Sequence, residues 1–329
     1  MSSYLKGKSI LVTGGTGSIG SSLVREAIAA GPKVIRVFDN NESGLFEMGQ
    51  ALDSPLFRPL VGDVRDKDRL RRASEGTDVI LHAAALKHVP LSEYNPFEAI
   101  KTNVIGTQNV IEVALENEVE KLITISTDKA VDPLNVMGAT KLLAERLTIS
   151  ANNYKGDRKT VFACTRFGNV LGSRGSVMPT FIEQVKHGGP VTVTDGNMTR
   201  FVMSIQKAVQ LVLRAAEIAE GGEIFIFKMD ALRIADLARA VIEEFAPAYG
   251  YDPKTIELTT IGKRAGEKDN EKLINDLEME NIVEITDMYI VDTFGRHAAQ
   301  GGPATASFES SGATLLSLPE IKALLKEAL

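Results

Sequence analysis

The chain has 329 residues, enough for one large domain with a lobe or for two domains. Hydrophobic residues make up 44% and charged residues 24%, with 28 Gly and 12 Pro, values that exclude a disordered or low-complexity chain. The 37 Lys and Arg stand against 43 Asp and Glu, so the overall field repels polyanions and argues against nucleic-acid partners.

The lone Cys164 excludes an internal disulfide and a cysteine metal site, and its apolar surroundings read as core. Four histidines without paired carboxylate spacing carry no metal signal. No apolar stretch approaches the roughly 20 residues of a membrane helix. The opening MSSYLKGKSILVTGG runs straight into a strand and a glycine loop without a basic-then-apolar leader, so a cytoplasmic location is expected.

From residue 8 to 126 one alternation repeats: a short β-branched run, a break, then a helical pattern. Strands are expected over 9–13, 33–38, 57–61, 78–83 and 121–126, and helices over 18–30, 43–52, 66–73 and 95–116. A long helix over 136–154 and a strand over 160–166 follow. Apolar strands separated by helices predict a doubly wound α/β domain with a parallel sheet covered on both faces, here residues 1–168. Beyond it, Gly and Pro punctuate short strands at 191–194, 223–227 and 256–261, with helices over 204–219 and 233–245. Residues 169–291 read as a smaller substrate lobe partly interleaved with the first domain. Residues 292–329 read as an irregular tail closed by a short helix from Pro319, capped by Ser317.

The segment Thr13-Gly-Gly-Thr-Gly-Ser-Ile-Gly20 lies between the first strand and the first helix. Gly14, Gly17 and Gly20 suit a tight turn, bare backbone against a pyrophosphate and close helix packing, with Thr16, Ser18 and Ile19 completing the loop. Asp39 follows at the end of the second strand, placed to accept from a ribose hydroxyl. A carboxylate there repels a 2′-phosphate, and the next residues are Asn40 and Asn41 and not arginine, so NAD is favoured over NADP. Asp63, with Val64 after the third strand, has the position of an adenine-edge acceptor.

The three glycines, the run Ala83-Ala84-Ala85 after the fourth strand, Asn103 in the next helix and Lys141 beyond a loop resemble the extended short-chain dehydrogenase/reductase family, of Rossmann type. That superfamily pairs a Ser or Thr after the fifth strand with Tyr-x-x-x-Lys. Here the Ser/Thr position is Thr127, the lysine is Lys141, and Met137 stands at the tyrosine position.

The run from Ser126 to Lys141, with Leu86-Lys-His-Val-Pro90, Arg166-Phe-Gly-Asn-Val-Leu-Gly-Ser173 and Arg264-Ala-Gly-Glu-Lys268, resembles the nucleotide-sugar 4,6-dehydratases acting on UDP-N-acetylglucosamine, in the branch with Met for Tyr. The resemblance implies oxidation at C4 by a tightly held NAD, loss of water across C5 and C6, and hydride return to C6. It implies Lys129 as the base at C5 and Asp128 as the acid toward the C6 hydroxyl. A thioether has no proton to exchange, so the C4 hydroxyl needs another base: Thr127, a water or Asp128 itself. For substrate the resemblance implies Asn169, Arg264 and Glu267, with Lys87 near the sugar. Arg200 is either a second phosphate contact or a surface salt bridge. His82 reads as a core histidine, and His88 as near the site without a role. Helices 95–116 and 136–154 resemble those through which family members pair, so at least a homodimer is expected. Two rivals stay open: a UDP-hexose 4-epimerase, and an NAD-binding regulator that lost catalysis through Met137.

Overall fold

A computed structural model describes residues 3–264, 266–297 and 307–328. Six strands open the chain: β1 (Ser9–Thr13), β2 (Val34–Asp39), β3 (Phe57–Val61), β4 (Val79–His82), β5 (Lys121–Ile125) and β6 (Val161–Arg166). Between them run α1 (Ser18–Ala29), α2 (Glu42–Leu52), α3 (Lys67–Ser74), α4 (Val89–Tyr94), α5 (Pro96–Ala99), α6 (Gly106–Glu116) and α7 (Val136–Tyr154). The second half adds β7 (Asn169–Val170), α8 (Val177–Lys186), β8 (Val191–Val193), β9 (Thr199–Met203), α9 (Ile205–Ile218), β10 (Glu223–Phe227), β11 (Asp230–Arg233) and α10 (Ile234–Phe245). It closes with β12 (Leu258–Thr260), β13 (Ile282–Glu284), β14 (Met288–Asp292) and α11 (Leu318–Glu327).

Nine strands form one sheet in the order β13-β14-β10-β6-β5-β4-β1-β2-β3. The chain leaves β1 toward β2 and β3, then crosses to β4 on the other side. That reversal opens a crevice at the carboxyl ends of β1 and β4, where open α/β sheets bind ligands. β1, β4 and β5 are buried along their whole length because helices cover both faces. β3 is an edge strand, and it carries Pro59 and a partly exposed face, as an edge tolerates.

Three features differ from or add to the expectations. The sheet is parallel from β3 through β10 but ends in antiparallel β14 and β13, so residues 282–292, expected in the lobe and tail, complete the main sheet. The single helix expected over 95–116 is α5, a π-turn at Ile100–Ile105 and α6, and the Gly106 N–H reaches back five residues to the Lys101 carbonyl. β9 escaped the reading because Thr199 and Arg200 break its apolar pattern, yet the whole strand is buried.

In the lobe, α8, α10 and α11 pack around Phe181, Val185, Val241, Ile321 and Leu325. Ser317 and Glu320 form the reciprocal capping box that starts α11. Part of the expected tail, residues 298–306, lies outside the described residues.

Candidate active site

The crevice at the switch point is lined by Gly14, Thr16, Gly17, Asp39, Asn40, Asp63, Val64 and Ala83 to Ala85. Gly14 has φ +67°, and a Cβ there would lie 2.6 Å from Ala84 backbone; one on Gly20 would lie 2.2 Å from the Gly14 carbonyl oxygen. Only bare backbone therefore closes this turn. Ser18 accepts from the Arg174 N–H, and Ile19 packs its side chain into the core, so they support the loop from behind.

Asp39, 8% exposed, accepts from the Thr16 N–H (2.9 Å), the Thr16 hydroxyl (2.8 Å) and the Asn41 N–H (3.0 Å). A carboxylate offers about four acceptor sites, so roughly one remains for a ligand hydroxyl. Asp63 is engaged by the Arg65 guanidinium through both oxygens, at 2.9 and 2.6 Å, and by Asn40 at 3.3 Å. Those Arg65 hydrogen bonds hold its carboxyl below the usual range, so an adenine edge would share Asp63 with Arg65. The glycine cradle and the carboxylate at the end of β2 fit a dinucleotide with free ribose hydroxyls.

Beside the crevice, the chain leaves β5 through Thr127, Asp128 and Lys129. Asp128 is fully buried, and its N–H donates to the Phe167 carbonyl just past the end of β6 (3.1 Å). Thr127 donates its hydroxyl to Asp128 Oδ1 at 2.8 Å. Lys129 Nζ lies 3.0 Å from Asp128 Oδ1, and 3.3 Å from both Asn169 Oδ1 and Glu271 Oε1. Asp128 Oδ2 and Glu271 Oε2 are buried without a hydrogen-bond partner. Gly168 makes room here, since a Cβ on it would lie 2.9 Å from Asp128 Oδ2.

Burial pulls Lys129 down, but the charges of Asp128 and Glu271 outweigh it and hold the ammonium above the usual lysine range. Lys129, expected as a base, is thus a proton donor in this state. Burial pushes the Glu271 carboxyl up, with Lys129 acting against it.

Met137 is buried on the first turn of α7. Lys141 Nζ donates to the Ile125 carbonyl at 2.6 Å, and burial lowers its proton affinity. Asn103 gives its amide to the Leu86 carbonyl and Thr140 Oγ1, and accepts from the Leu86 N–H, so it shapes the crevice wall and does not present that amide to a ligand. His82 is a satisfied core histidine between Thr13 and Thr107.

The substrate candidates are less gathered. Asn169 meets Lys129. Arg200 is 6% exposed and donates to the carbonyls of Thr199, Lys268 and Asp269. It is neither a surface salt bridge nor a free phosphate fork; it clamps the segment that carries Glu271. Glu267 accepts from Thr194 and the Arg264 N–H, while the Arg264 side chain is exposed. Lys87 donates to the Arg174 carbonyl, and a Cβ on Gly175 would strike the His88 ring.

Sequence reasoning missed Glu271, Gly168 and Arg174, whose guanidinium bonds the Thr16 carbonyl across the glycine loop. All three sit in irregular segments, where no period marks which way a side chain points.

Residues 10–293 match the family described as polysaccharide biosynthesis protein. The chain belongs to that family. A protein from Methanocaldococcus jannaschii described as an uncharacterized membrane protein is 60% identical over 327 residues, covering 99% of this chain and 98% of that one. In this polysaccharide biosynthesis family member, no helix among the described residues is long and apolar enough to cross a membrane. A UDP-N-acetylglucosamine 4,6-dehydratase (inverting) from Campylobacter jejuni is 43% identical, over 86% of this chain and 82% of its own. A UDP-glucose 4-epimerase from Rickettsia conorii is 40% identical, over 97% and 95%. The structure of Pen from Bacillus thuringiensis superposes with a TM-score of 0.94 at 40% identity, covering 99% of both chains. A dTDP-glucose 4,6-dehydratase from Streptomyces venezuelae, solved with NAD, shares the fold at 21% identity, with a TM-score of 0.72 over 97% and 96%. Relatives above 30% identity thus include nucleotide-sugar dehydratases and epimerases, and the fold is the one these solved neighbours share.

Proposed function

We propose that this protein is an NAD-dependent UDP-N-acetylglucosamine 4,6-dehydratase. The observation that carries the reading is the Asp128–Lys129 pair, enclosed beside the dinucleotide crevice at the carboxyl end of β5. Epimerisation at C4 needs no acid and base for C5 and C6; elimination of water needs both.

NAD held by the glycine turn and Asp39 would supply the hydride acceptor for C4 and the donor for C6. The chain's own residues handle the protons. Asp128 takes the C4 hydroxyl proton, directly or through Thr127, whose hydroxyl already donates to it. It then gives that proton to the departing C6 hydroxyl, which leaves as water. Lys129, as a free amine, takes the C5 proton and gives a proton back to C5 as hydride reaches C6. Met137 leaves these steps to its neighbours, and Lys141 lies ready for the cofactor ribose once it releases Ile125. Asn169, Arg264, Glu267 and Lys87 border the UDP-sugar. The reading includes at least a homodimer, supported by Tyr94, Phe97 and Leu143, which are exposed on α4, α5 and α7.

Incubation with UDP-N-acetylglucosamine tests the reading. A product lighter by one water is expected. An isomer of unchanged mass makes the protein an epimerase, and no product with UDP-sugar and NAD both bound makes it a binding protein.

A further inference from the structure

The proposed chemistry asks Lys129 for a free amine, and the structure sets its Nζ between two carboxylates. Only one of those carboxylates has a task on the substrate. Glu271 is 3% exposed, its Oε1 lies 3.3 Å from Lys129 Nζ, and its Oε2 is buried without a hydrogen-bond partner. Its backbone is pinned on both sides: the N–H donates to Ser310 Oγ at 3.0 Å, and the carbonyl accepts from the Ser310 N–H at 2.9 Å. The carboxylate is therefore aimed at Lys129 and does not wander as a solvated charge.

The charged groups around Glu271 are Asp128 and Lys129 from the turn after β5, Arg200 from β9 and Lys268 from its own segment. Arg200 donates to backbone carbonyls, and Lys268 donates to the Val131 carbonyl. Of these cations, only Lys129 forms an ion pair with Glu271.

We propose that Glu271 is the proton store of Lys129: once substrate closes the site, the Lys129 Nζ–H proton passes to Glu271 Oε1, leaving the amine that deprotonates C5. This rests on the dehydratase reading. The N–H bond breaks, its electron pair stays on Nζ, and an O–H bond forms on Glu271. Charges of +1 and −1 on Lys129 and Glu271 become 0 and 0, so the pair's total charge does not change. Excluding water favours the neutral pair, because a buried ion pair loses more solvation than a buried acid and amine. Burial already raises Glu271 toward protonation. Lys129 returns a proton to C5 as hydride reaches C6, which leaves it an amine again, and when product leaves the Glu271 proton returns to Lys129. Glu271 acts through Lys129 and is a positioning residue.

The test is Glu271→Gln, which keeps the shape and cannot take a proton. Wild type is expected to dehydrate UDP-N-acetylglucosamine at a rate nearly flat from pH 7 to 9. The variant is expected to keep the wild-type KM and lose about 100-fold in kcat at pH 7. Its kcat should recover by about tenfold per pH unit as solvent takes over removal of the Lys129 proton. Glu271→Asp should restore part of the pH-independent rate. A dehydrating wild type beside a Glu271→Gln variant whose loss is equal at every pH overturns this inference alone. A wild type that forms no dehydrated product overturns the dehydratase reading, and this inference with it. Should Glu271→Gln fail to fold, infrared difference spectra of the wild-type holoenzyme with substrate and 13C-labelled glutamate read the same proton. A label-sensitive protonated-carboxyl band supports the proposal, and carboxylate bands alone overturn it.

Discussion

Lys129 Nζ and Asp128 Oδ1 stand 3.0 Å apart at the start of one turn, the carboxylate fully buried and the lysine side chain a quarter exposed. Adjacent residues of opposite charge usually face solvent. Here the Asp128 N–H is tied to the Phe167 carbonyl, which turns the carboxylate inward and brings the ammonium after it.

Lys129→Ala is expected to lose dehydration by about 10²- to 10⁴-fold and to stop solvent deuterium from entering at C5, while NAD stays bound. Asp128→Asn keeps the shape without a transferable proton, so dehydration should fall by a similar factor. Because it also cannot take the C4 hydroxyl proton, no 4-keto sugar is expected, and a 4-keto sugar that accumulates without dehydration assigns the C4 base to another group. Product mass and proton spectra in deuterated water read all of these, and unchanged dehydration in Lys129→Ala refutes its role.

The emptied protein should bind NAD more tightly than NADP, because Asp39 would lie against a 2′-phosphate in a partly desolvated site, at a cost of a few kcal/mol, about 2 or more. Gly20→Ala should weaken NAD binding, since its methyl would press on the Gly14 carbonyl. Calorimetric titration measures both, and tighter NADP binding contradicts the assignment of Asp39.

Arg166 is fully buried between Glu145 (3.0 and 2.8 Å) and Glu278 (2.7 and 2.8 Å). Glu278→Ala leaves Arg166 paired with Glu145 but removes its charge-assisted hydrogen bonds to Glu278, so it should cost roughly 1.5 to 3 kcal/mol. Burial pushes the Glu278 carboxyl up, but its hydrogen bonds to Arg166 and the Arg166 charge outweigh that and hold it low. A carboxyl held low in the fold binds fewer protons there than in the unfolded chain, whose value is about 4.3. Its stabilisation is full above that value and fades as pH falls through the lower folded one. Thermal melts should show wild type losing stability in that acidic window and Glu278→Ala losing less of it. Equal slopes would remove Glu278 from the account.

The sequence by itself determined what depends on neighbours along the chain. The glycine turn and Asp39 at the end of β2 were legible because backbone conformation and strand period place those groups at fixed points of one strand-turn-helix-strand unit, and the run from Thr127 to Lys141 was legible through its resemblance to the 4,6-dehydratases. Tertiary structure decided the rest. Glu271 reaches Lys129 from 142 positions away along an irregular segment, and only the Ser310 contacts and the Arg200 clamp give it a direction. Arg200 read as a phosphate fork or a surface charge until the burial of β9 sent its donors to backbone carbonyls. Asn103, expected as a cofactor contact, sits in the π-turn with its amide on the Leu86 carbonyl, a partner no local pattern names. A charged side chain carries no period of its own, so its partner is chosen by whichever segment folding buries beside it, and that choice is not written in the local pattern.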